Sequence, residues 1–411
     1  MLKIDKIQHA GIDGAVSLPG SKSIGNRYLL MKAVAGLELD FVNLPDSNDI
    51  KVFKRCLDSD IGDCFFEDAG TPLRFYLAYA ALRGNDERVI DGFDRLRERP
   101  IRSLLEALES CGARFKFLKE DYSLPLMVVQ TLDKDTRELT ISANISSQFV
   151  SALMLIAPYF NNGLTIRLSG EMRSAPYVEM TRALMSKNGV RCEFRESVIE
   201  VSAGQYVFES IEIESDWSAA AFFYNLMAVG RKGEILLKGL FPDSIQGDSR
   251  VAKYYEAFGI HTKYIEEGVK ITYVERDIDK IEMDLRDTPD MFPALCATVV
   301  SLRIPSVFSG IRNLRDKESD RVEAMEFNAS QMGAVLTMQG DDVLSIGFED
   351  GPKESIRVKA YGDHRIAMAC SVFALNTEVI IDSEDVVSKS FPAYWEEFNK
   401  LYGDFAKKVS E

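Results

Sequence analysis

The sequence predicts an α/β protein of two similar domains, each made of three repeated units. Three observations carry this. A short polar or Gly-rich start leads six times into an apolar helix, and a second, amphipathic helix follows in most units. That second helix tends to end in Gly plus a small or β-branched residue and then an alternating strand. The spacing is about 70 residues, so six units fill the chain.

The units can be justified in order. The first opens at Gly20-Ser-Lys-Ser and runs into the apolar stretch Tyr28–Ala35. The second opens at Asp68-Ala-Gly-Thr; its outer helix, Ile101–Gly112, leads into Ala-Arg-Phe-Lys-Phe. The third opens at Ile145-Ser-Ser-Gln before the helix Phe149–Ile156, with Tyr177–Gly189 and Val-Arg-Cys-Glu-Phe behind it. The fourth opens at Ser215-Asp-Trp-Ser before Ala219–Met227, followed by Val251–Gly259. The fifth opens at Asp287-Thr-Pro-Asp, with Val322–Gly333 as its outer helix, and the sixth at Tyr361-Gly-Asp-His. Helices apolar nearly all round are expected to be buried. Gly suits the left-handed position that closes a helix, and alternation suits a strand buried on one face. Each unit is therefore expected to hold strands, one inner and one outer helix. Chain crossings are expected at the Pro-Gly turn Leu18–Gly20 and at Ile213–Asp216. They assign residues 1–20 and 214–411 to one domain and 21–213 to the other.

Composition narrows the function. Hydrophobic content of 46% and charged content of 27% are those of a soluble globular chain. The net charge of −15 argues against nucleic acid or an anionic membrane as partner. Cys56, Cys64, Cys111, Cys192, Cys296 and Cys370 make no C-x-x-C pair and no Cys/His cluster, so neither zinc nor a disulfide framework is expected. The charged, alternating start Met-Leu-Lys-Ile-Asp is no signal peptide, and no apolar run reaches about 18 residues. A reducing cytoplasm is expected.

In so acidic a chain the cations look placed rather than spread. Leu18-Pro-Gly-Ser-Lys-Ser-Ile-Gly-Asn-Arg27 gathers backbone N–H groups, two hydroxyls and two cations near one helix start, which suits phosphate or carboxylate. The plain alternative is a Ser-capped surface helix. In Arg95-Leu-Arg-Glu-Arg-Pro100, Arg95 and Arg97 read as solvated, and Arg99 sits against a helix start. Ser146-Ser-Gln148 could cap its helix or donate to phosphate. Asn313–Arg321 reads as a solvated first turn with intrahelical pairs. Arg365, at the start of a buried helix beside His364, needs a partner. Lys389-Ser-Phe-Pro places one more cation before a helix.

Taken in order, Leu-Pro-Gly-Ser-Lys-Ser-Ile with Asn-Arg, Ala-Gly-Thr, Arg-Glu-Arg-Pro-Ile, Ser-Ser-Gln-Phe, Ser-x-Pro-Tyr, Gln-Gly-Asp, Lys-Glu-Ser-Asp-Arg, Gly-Asp-His-Arg and Lys-Ser-Phe-Pro span essentially the whole chain. In this set the chain resembles the 5-enolpyruvylshikimate-3-phosphate synthases. The resemblance implies two inverse α/β barrel domains with buried parallel helices and an active site in the interdomain cleft. It implies transfer of the enolpyruvyl group of phosphoenolpyruvate to the 5-hydroxyl of shikimate 3-phosphate, with loss of phosphate from a tetrahedral intermediate. No metal and no organic cofactor are implied, and a monomer is expected.

Carried over by position, Lys22, Ser23, Arg27, Ser146, Ser147, Gln148, Ser174, Tyr177, Asp290, Asn313 and Lys317 would hold shikimate 3-phosphate. Lys22, Gly70, Arg99, Gln148, Arg321, Arg365 and Lys389 would hold phosphoenolpyruvate. Asp290 would take the proton of the 5-hydroxyl, Glu318 would exchange a proton at C3, and Lys22 would serve the departing phosphate or the attacking site. His364 would support Arg365 and Glu318. The chain departs from the commoner pattern at Asp68, where an Asn is frequent and a carboxylate would repel the donor unless paired or turned away. It departs also at Pro72, Phe75, Leu314 and Met291-Phe292.

Three rivals remain at this level. A UDP-N-acetylglucosamine enolpyruvyl transferase typically carries a Cys-bearing loop near Arg95–Arg99, and no Cys lies there. An RNA-terminal phosphate cyclase is disfavoured by the acidic composition. A non-catalytic anion binder would keep the cations but have no need of Asp290 and Glu318.

Overall fold

The computed structural model describes residues 1–8, 11–58, 62–84, 87–142, 146–170, 172–208, 211–403 and 405–408. Ile145, the expected first residue of the third unit, lies outside them. The chain divides into two compact units, Met1–Gly20 with Glu214–Glu411, and Ser21–Ile213.

One pattern recurs. In the second unit of the repeat, strand Cys64–Phe65 leads through helix Gly70–Arg83 to strand Ile90–Asp91, which pairs parallel to it. Helix Arg102–Ser110 follows, then strands Arg114–Phe117 and Leu126–Gln130, both joined antiparallel. A parallel pair needs a crossover, and the apolar helix supplies it while burying itself. The same order appears around helix Ser147–Ile156, with Glu138–Ser142 parallel to Leu164–Ser169 and the hairpin Cys192–Arg195 to Val198–Val201 completing the sheet. It appears again around helix Phe292–Leu302.

The two remaining sheets borrow strands from the N-terminus. Ile12–Val16 pairs parallel with Gly233–Lys238 across the crossover helix Trp217–Gly230. Leu2–Ile4 lies antiparallel between Glu378–Ile381 and Ala406–Lys408. Among the described residues this makes five four-stranded sheets.

The unit holding helices Lys22–Ala35 and Asn48–Leu57 differs from expectation. Among the described residues its strand pairing is a single parallel bridge between Val42 and Glu212. The bridge sits where the parallel pair of the other units would begin. The sequence after it offers no second pair: Pro45 withholds a donor, and Asp58-Ser-Asp-Ile-Gly-Asp63 has no apolar alternation.

The crossover helices are buried as their composition demands. In Trp217–Gly230 every residue from Trp217 to Ala228 is buried, and in Phe292–Leu302 every residue from Phe292 to Ser301. Thr298 ties the second of these to the first by donating to Asn225 Oδ1 at 2.9 Å, and Tyr255 meets the same hydroxyl at 2.8 Å. The glycines that end the outer helices adopt positive φ: Gly112 at 94°, Gly189 at 83°, Gly259 at 79° and Gly333 at 76°. At Gly333 a Cβ would fall 1.9 Å from the Asp350 carbonyl, so the close approach needs glycine as much as the dihedral does.

Candidate functional site

In the unit Ser21–Ile213 polar residues stand at the starts of two inner helices and of one outer, half-buried helix. Ser21 caps helix Lys22–Ala35 by accepting from Ile24 N, and Ser146 caps Ser147–Ile156 by accepting from Gln148 N. Ser174 precedes Ala175–Lys187 in the left-handed region at φ 57°. These are neutral caps, so the positive helix ends keep their attraction for an anion. Lys22 pairs with the buried Asp49 at 2.9 Å.

Arg27 is tied into the scaffold. It donates to Thr181 Oγ1 at 2.8 Å, Ser23 O at 2.8 Å, Ser151 Oγ at 3.2 Å and Tyr177 O at 2.9 Å. Its guanidinium also lies over the Phe75 ring at 5.6 Å, which gives one of the departures from the commoner pattern a use. Burial lowers its pKa to about 10, so it stays charged at neutral pH.

The second cluster surrounds Gly70. The Arg99 guanidinium reaches the start of Gly70–Arg83, and a Cβ on Gly70 would lie 2.3 Å from Arg99 Nη1 and 2.7 Å from Arg74 Nη1. Arg74 donates to Gln148 Oε1 at 3.0 Å and to Pro100 O at 3.3 Å. Arg74 was not among the sequence candidates. It stands inside an apolar helix, and nothing in its spacing marks it. Asp68 is exposed. Arg97, part-exposed as a solvated run allows, forms a two-bond ion pair with Asp91 at 2.9 and 2.7 Å.

Replacing Gly70 by Ala should leave the fold intact, because the clashing atoms are flexible side-chain ends and Ala suits a helix start. The two guanidiniums must move. The KM for an anionic ligand of this cluster should rise by roughly tenfold, about 1.4 kcal/mol. Steady-state kinetics beside a melting curve check it; an unchanged KM, or a collapsed melting temperature, would contradict it.

The other unit gathers acids and cations together. Asp290, in the turn Pro289–Met291 before Phe292–Leu302, receives Arg321 Nη1 at 2.7 Å on one oxygen and Arg365 Nη2 at 2.9 Å on the other. Lys317 Nζ stands 3.8 Å away. Burial alone would push its pKa up; Arg365, Lys317 and Arg321 outweigh that and hold the carboxyl well below its usual range. Arg321, 1% exposed, also donates to Glu318 Oε2 at 3.0 Å and to Asp363 Oδ2 at 2.9 Å. Burial lowers its pKa, but Asp363, Asp290 and Glu318 raise it further, so it remains a cation.

Asn313–Arg321 is therefore not a solvated first turn. The stretch is a 3-10 turn at Arg312–Leu314 and an irregular segment; the helix starts only at Arg321, capped by Asp320. The pairs that matter run to Asp290 and Asp363, distant in sequence, and charge spacing along the chain could not disclose them.

Asp363 caps helix His364–Cys370 by accepting from Arg365 N. His364 is buried with Nδ1 3.7 Å from Asp363. Lys389, itself buried, ends the turn Glu384–Lys389, packed on that helix, and Asn313 lies in the turn Arg312–Leu314. Asp363 and Asp248 were visible within quoted motifs but were given no role. Asp248 accepts from Ser218 Oγ. Its pKa rises to about 6, through burial first and the charge of Asp290 second, with Arg365 opposing.

Asp248→Asn tests that placement. A carboxyl whose folded pKa is raised lends its stability below the unfolded value near 4 and loses it as pH climbs through about 6. The variant should therefore melt higher than the wild type at pH 8, and this advantage should vanish by pH 4. A melting difference that does not depend on pH would contradict the shift.

Among the described residues no group of three or more His, Cys, Asp or Glu side chains is placed to hold a metal ion, and no helix is long and apolar enough to cross a membrane. All six cysteines are buried and free.

With this geometry in hand, the chain was compared with known proteins. A family model described as EPSP synthase (3-phosphoshikimate 1-carboxyvinyltransferase) matches residues 62–398. A 3-phosphoshikimate 1-carboxyvinyltransferase of Bacteroides fragilis is 34% identical over 403 residues, covering 97% of each chain. One from Vibrio cholerae is 32% identical over 428 residues, covering 95% of this chain and 97% of the relative. Among solved structures, EPSP synthase from Acinetobacter baumannii superposes with a TM-score of 0.77 at 17% identity over 100% of both chains. The enolpyruvyl transferase NikO from Streptomyces tendae gives 0.75 at 14%, over 100% of this chain and 99% of that one. Both share the two-domain inverse α/β barrel fold.

Proposed function

The chain belongs to the EPSP synthase family, and from that we propose how its residues divide the reaction. The protein is a 3-phosphoshikimate 1-carboxyvinyltransferase: it moves the enolpyruvyl group of phosphoenolpyruvate to the 5-hydroxyl of shikimate 3-phosphate and releases phosphate, in the shikimate pathway.

In our reading the unit Ser21–Ile213 receives shikimate 3-phosphate at its neutral-capped helix starts, through Ser23, Arg27, Ser146, Ser147, Gln148, Ser174 and Tyr177. Asp290, Asn313 and Lys317 complete that set. Lys22, Gly70, Arg99, Gln148, Arg321, Arg365 and Lys389 take the donor. Asp290 accepts the proton of the 5-hydroxyl as its oxygen bonds to C2 of phosphoenolpyruvate, and Glu318 supplies a proton to C3. The resulting tetrahedral intermediate loses phosphate, with Lys22 beside the departing oxygen, and C3 gives a proton back. The cations stabilise the charge that develops.

One observation supports this most: Asp290 and Glu318 are bonded to the same buried Arg321, with Arg365 on Asp290's other oxygen. An anion binder would gain nothing from carboxylates that occupy its cations. A carboxylate so tightly paired is a weak base. Phosphoenolpyruvate, by drawing Arg365 and Arg321 toward its own charges, would return basicity to Asp290. The donor thus helps make the base that its partner substrate needs.

The test is phosphate release from phosphoenolpyruvate, with shikimate 3-phosphate or with UDP-N-acetylglucosamine. Release with the first alone is expected; release with the second alone would overturn the substrate assignment. We further propose a cytoplasmic monomer without nucleic-acid or membrane partners. The net charge of −15 supports the latter part, and gel filtration with light scattering tests the former.

A further inference from the structure

We propose that Arg74 is a positioning residue for the acceptor substrate, which acts by fixing the end of the Gln148 amide that faces the ligand. This rests on the reading above, in which Gln148 contacts substrate.

Arg74 is the fifth residue of helix Gly70–Arg83 and is 3% exposed. Its side chain turns back over its own helix start, so that Nη1 would lie 2.7 Å from a Cβ on Gly70. From there Nη1 donates to Gln148 Oε1 at 3.0 Å, Nη2 donates to Pro100 O at 3.3 Å, and the guanidinium carbon lies 5.5 Å from the Phe149 ring centre. One planar group thereby joins the Gly70 helix start, the Ser147 helix start and the segment that carries Arg99.

The chemistry of the pair is one-sided. A guanidinium can only donate, whereas a primary amide has one end that accepts and one that donates. The end of Gln148 that meets Arg74 must be the oxygen, so the amide group turned elsewhere is the NH2. That is the end able to donate to a phosphate, a carboxylate or a sugar hydroxyl. Without Arg74 the amide can rotate by half a turn and present an acceptor to an anionic ligand. A lysine keeps the charge but lacks the rigid fork that meets Gln148 and Pro100 together.

The decisive experiment is a double-mutant cycle, read as affinity for shikimate 3-phosphate by calorimetric titration of the full chain. Arg74→Lys and Gln148→Ala should each weaken binding by about tenfold, the scale of one lost hydrogen bond to a charged group. The double variant should bind no more weakly than Gln148→Ala alone, because Arg74 has nothing left to orient. Gln148→Glu should bind as poorly as Gln148→Ala, since its outward end accepts and cannot donate. Additive losses in the cycle, or full binding by Gln148→Glu, would overturn the proposal. If Arg74→Lys and Arg74→Gln both fail to fold, the group is scaffold only and the proposal falls. Failure of the wild type to bind shikimate 3-phosphate would instead strike the assigned substrate, so the two failures are distinguishable.

Discussion

Asp290→Asn should lower kcat by about 10³-fold or more, with the chain still folded and still able to bind phosphoenolpyruvate. Removal of a general base costs on the order of 10²–10⁴-fold. Asn keeps the shape and one acceptor, but it cannot take the proton and no longer answers the charges of Arg321 and Arg365, which lie at 2.7 and 2.9 Å from its oxygens. Each of those cations loses one carboxylate partner, so donor affinity should hold or improve while turnover collapses. A split of that kind distinguishes loss of chemistry from loss of binding. Pre-steady-state phosphate release and direct titration of phosphoenolpyruvate check it. Turnover within tenfold of the wild type would remove Asp290 from the proton-transfer step.

Arg321→Met should be the most destabilising single change in the site. Arg321 is the shared partner of Asp290, Glu318 and Asp363, of which Asp363 is fully buried. Methionine fills much of the space and supplies no charge, so three carboxylates would face one another with their common cation gone. Breaking a buried ion pair by removing one member costs about 3–5 kcal/mol. The pH dependence carries the sign. The carboxyl of Asp290 has a depressed folded pKa, so its contribution is present above the unfolded value near 4 and is lost only as pH falls below it. The variant should therefore lose most against the wild type at neutral pH, and the gap should narrow in acid. Denaturant titration at pH 7 and at values stepping well below pH 4 measures both; a deficit that does not shrink as pH falls below 4 would mean that the carboxylates are not what Arg321 holds.

The architecture was legible in the sequence where it rests on local rules. Apolar helices such as Trp217–Gly230 announce burial by having no polar face, and the stops at Gly112, Gly189, Gly259 and Gly333 follow from a dihedral that few other residues adopt. The reduced strand pairing around Val42 was not legible, because a unit whose described residues pair through a single bridge still shows its two helices. The site divides in the same way. Residues at helix starts, such as Ser146 and Arg365, stood out against a capping rule, whereas Arg74 lies inside an apolar run and gains its role only when the chain folds back on itself. Asp248 and Asp363 lay in plain view, but their importance comes from burial beside Arg365 and Arg321, which no spacing encodes. The stretch before Arg321 misled for the converse reason: dense charge suggests water, and here it marks a network that long-range folding closes.

The way the N-terminal strands are used has a consequence for synthesis. Ile12–Val16 finds its neighbour at Gly233–Lys238, and Leu2–Ile4 finds its own at Glu378–Ile381 and Ala406–Lys408. On a ribosome adding about 5–20 residues per second, Leu2–Ile4 must wait on the order of 20–80 s for Ala406–Lys408. Ser21–Ile213, by contrast, contains all its own strands and is finished while those early segments are still exposed edges. Residues 1–20 thus act as a latch in two stages, Ile12–Val16 engaged by Gly233–Lys238 and Leu2–Ile4 only by strands made much later, and truncations that remove Glu378–Ile381 and Ala406–Lys408 should fail by aggregation of the unsheltered Leu2–Ile4 more than by loss of the residues removed.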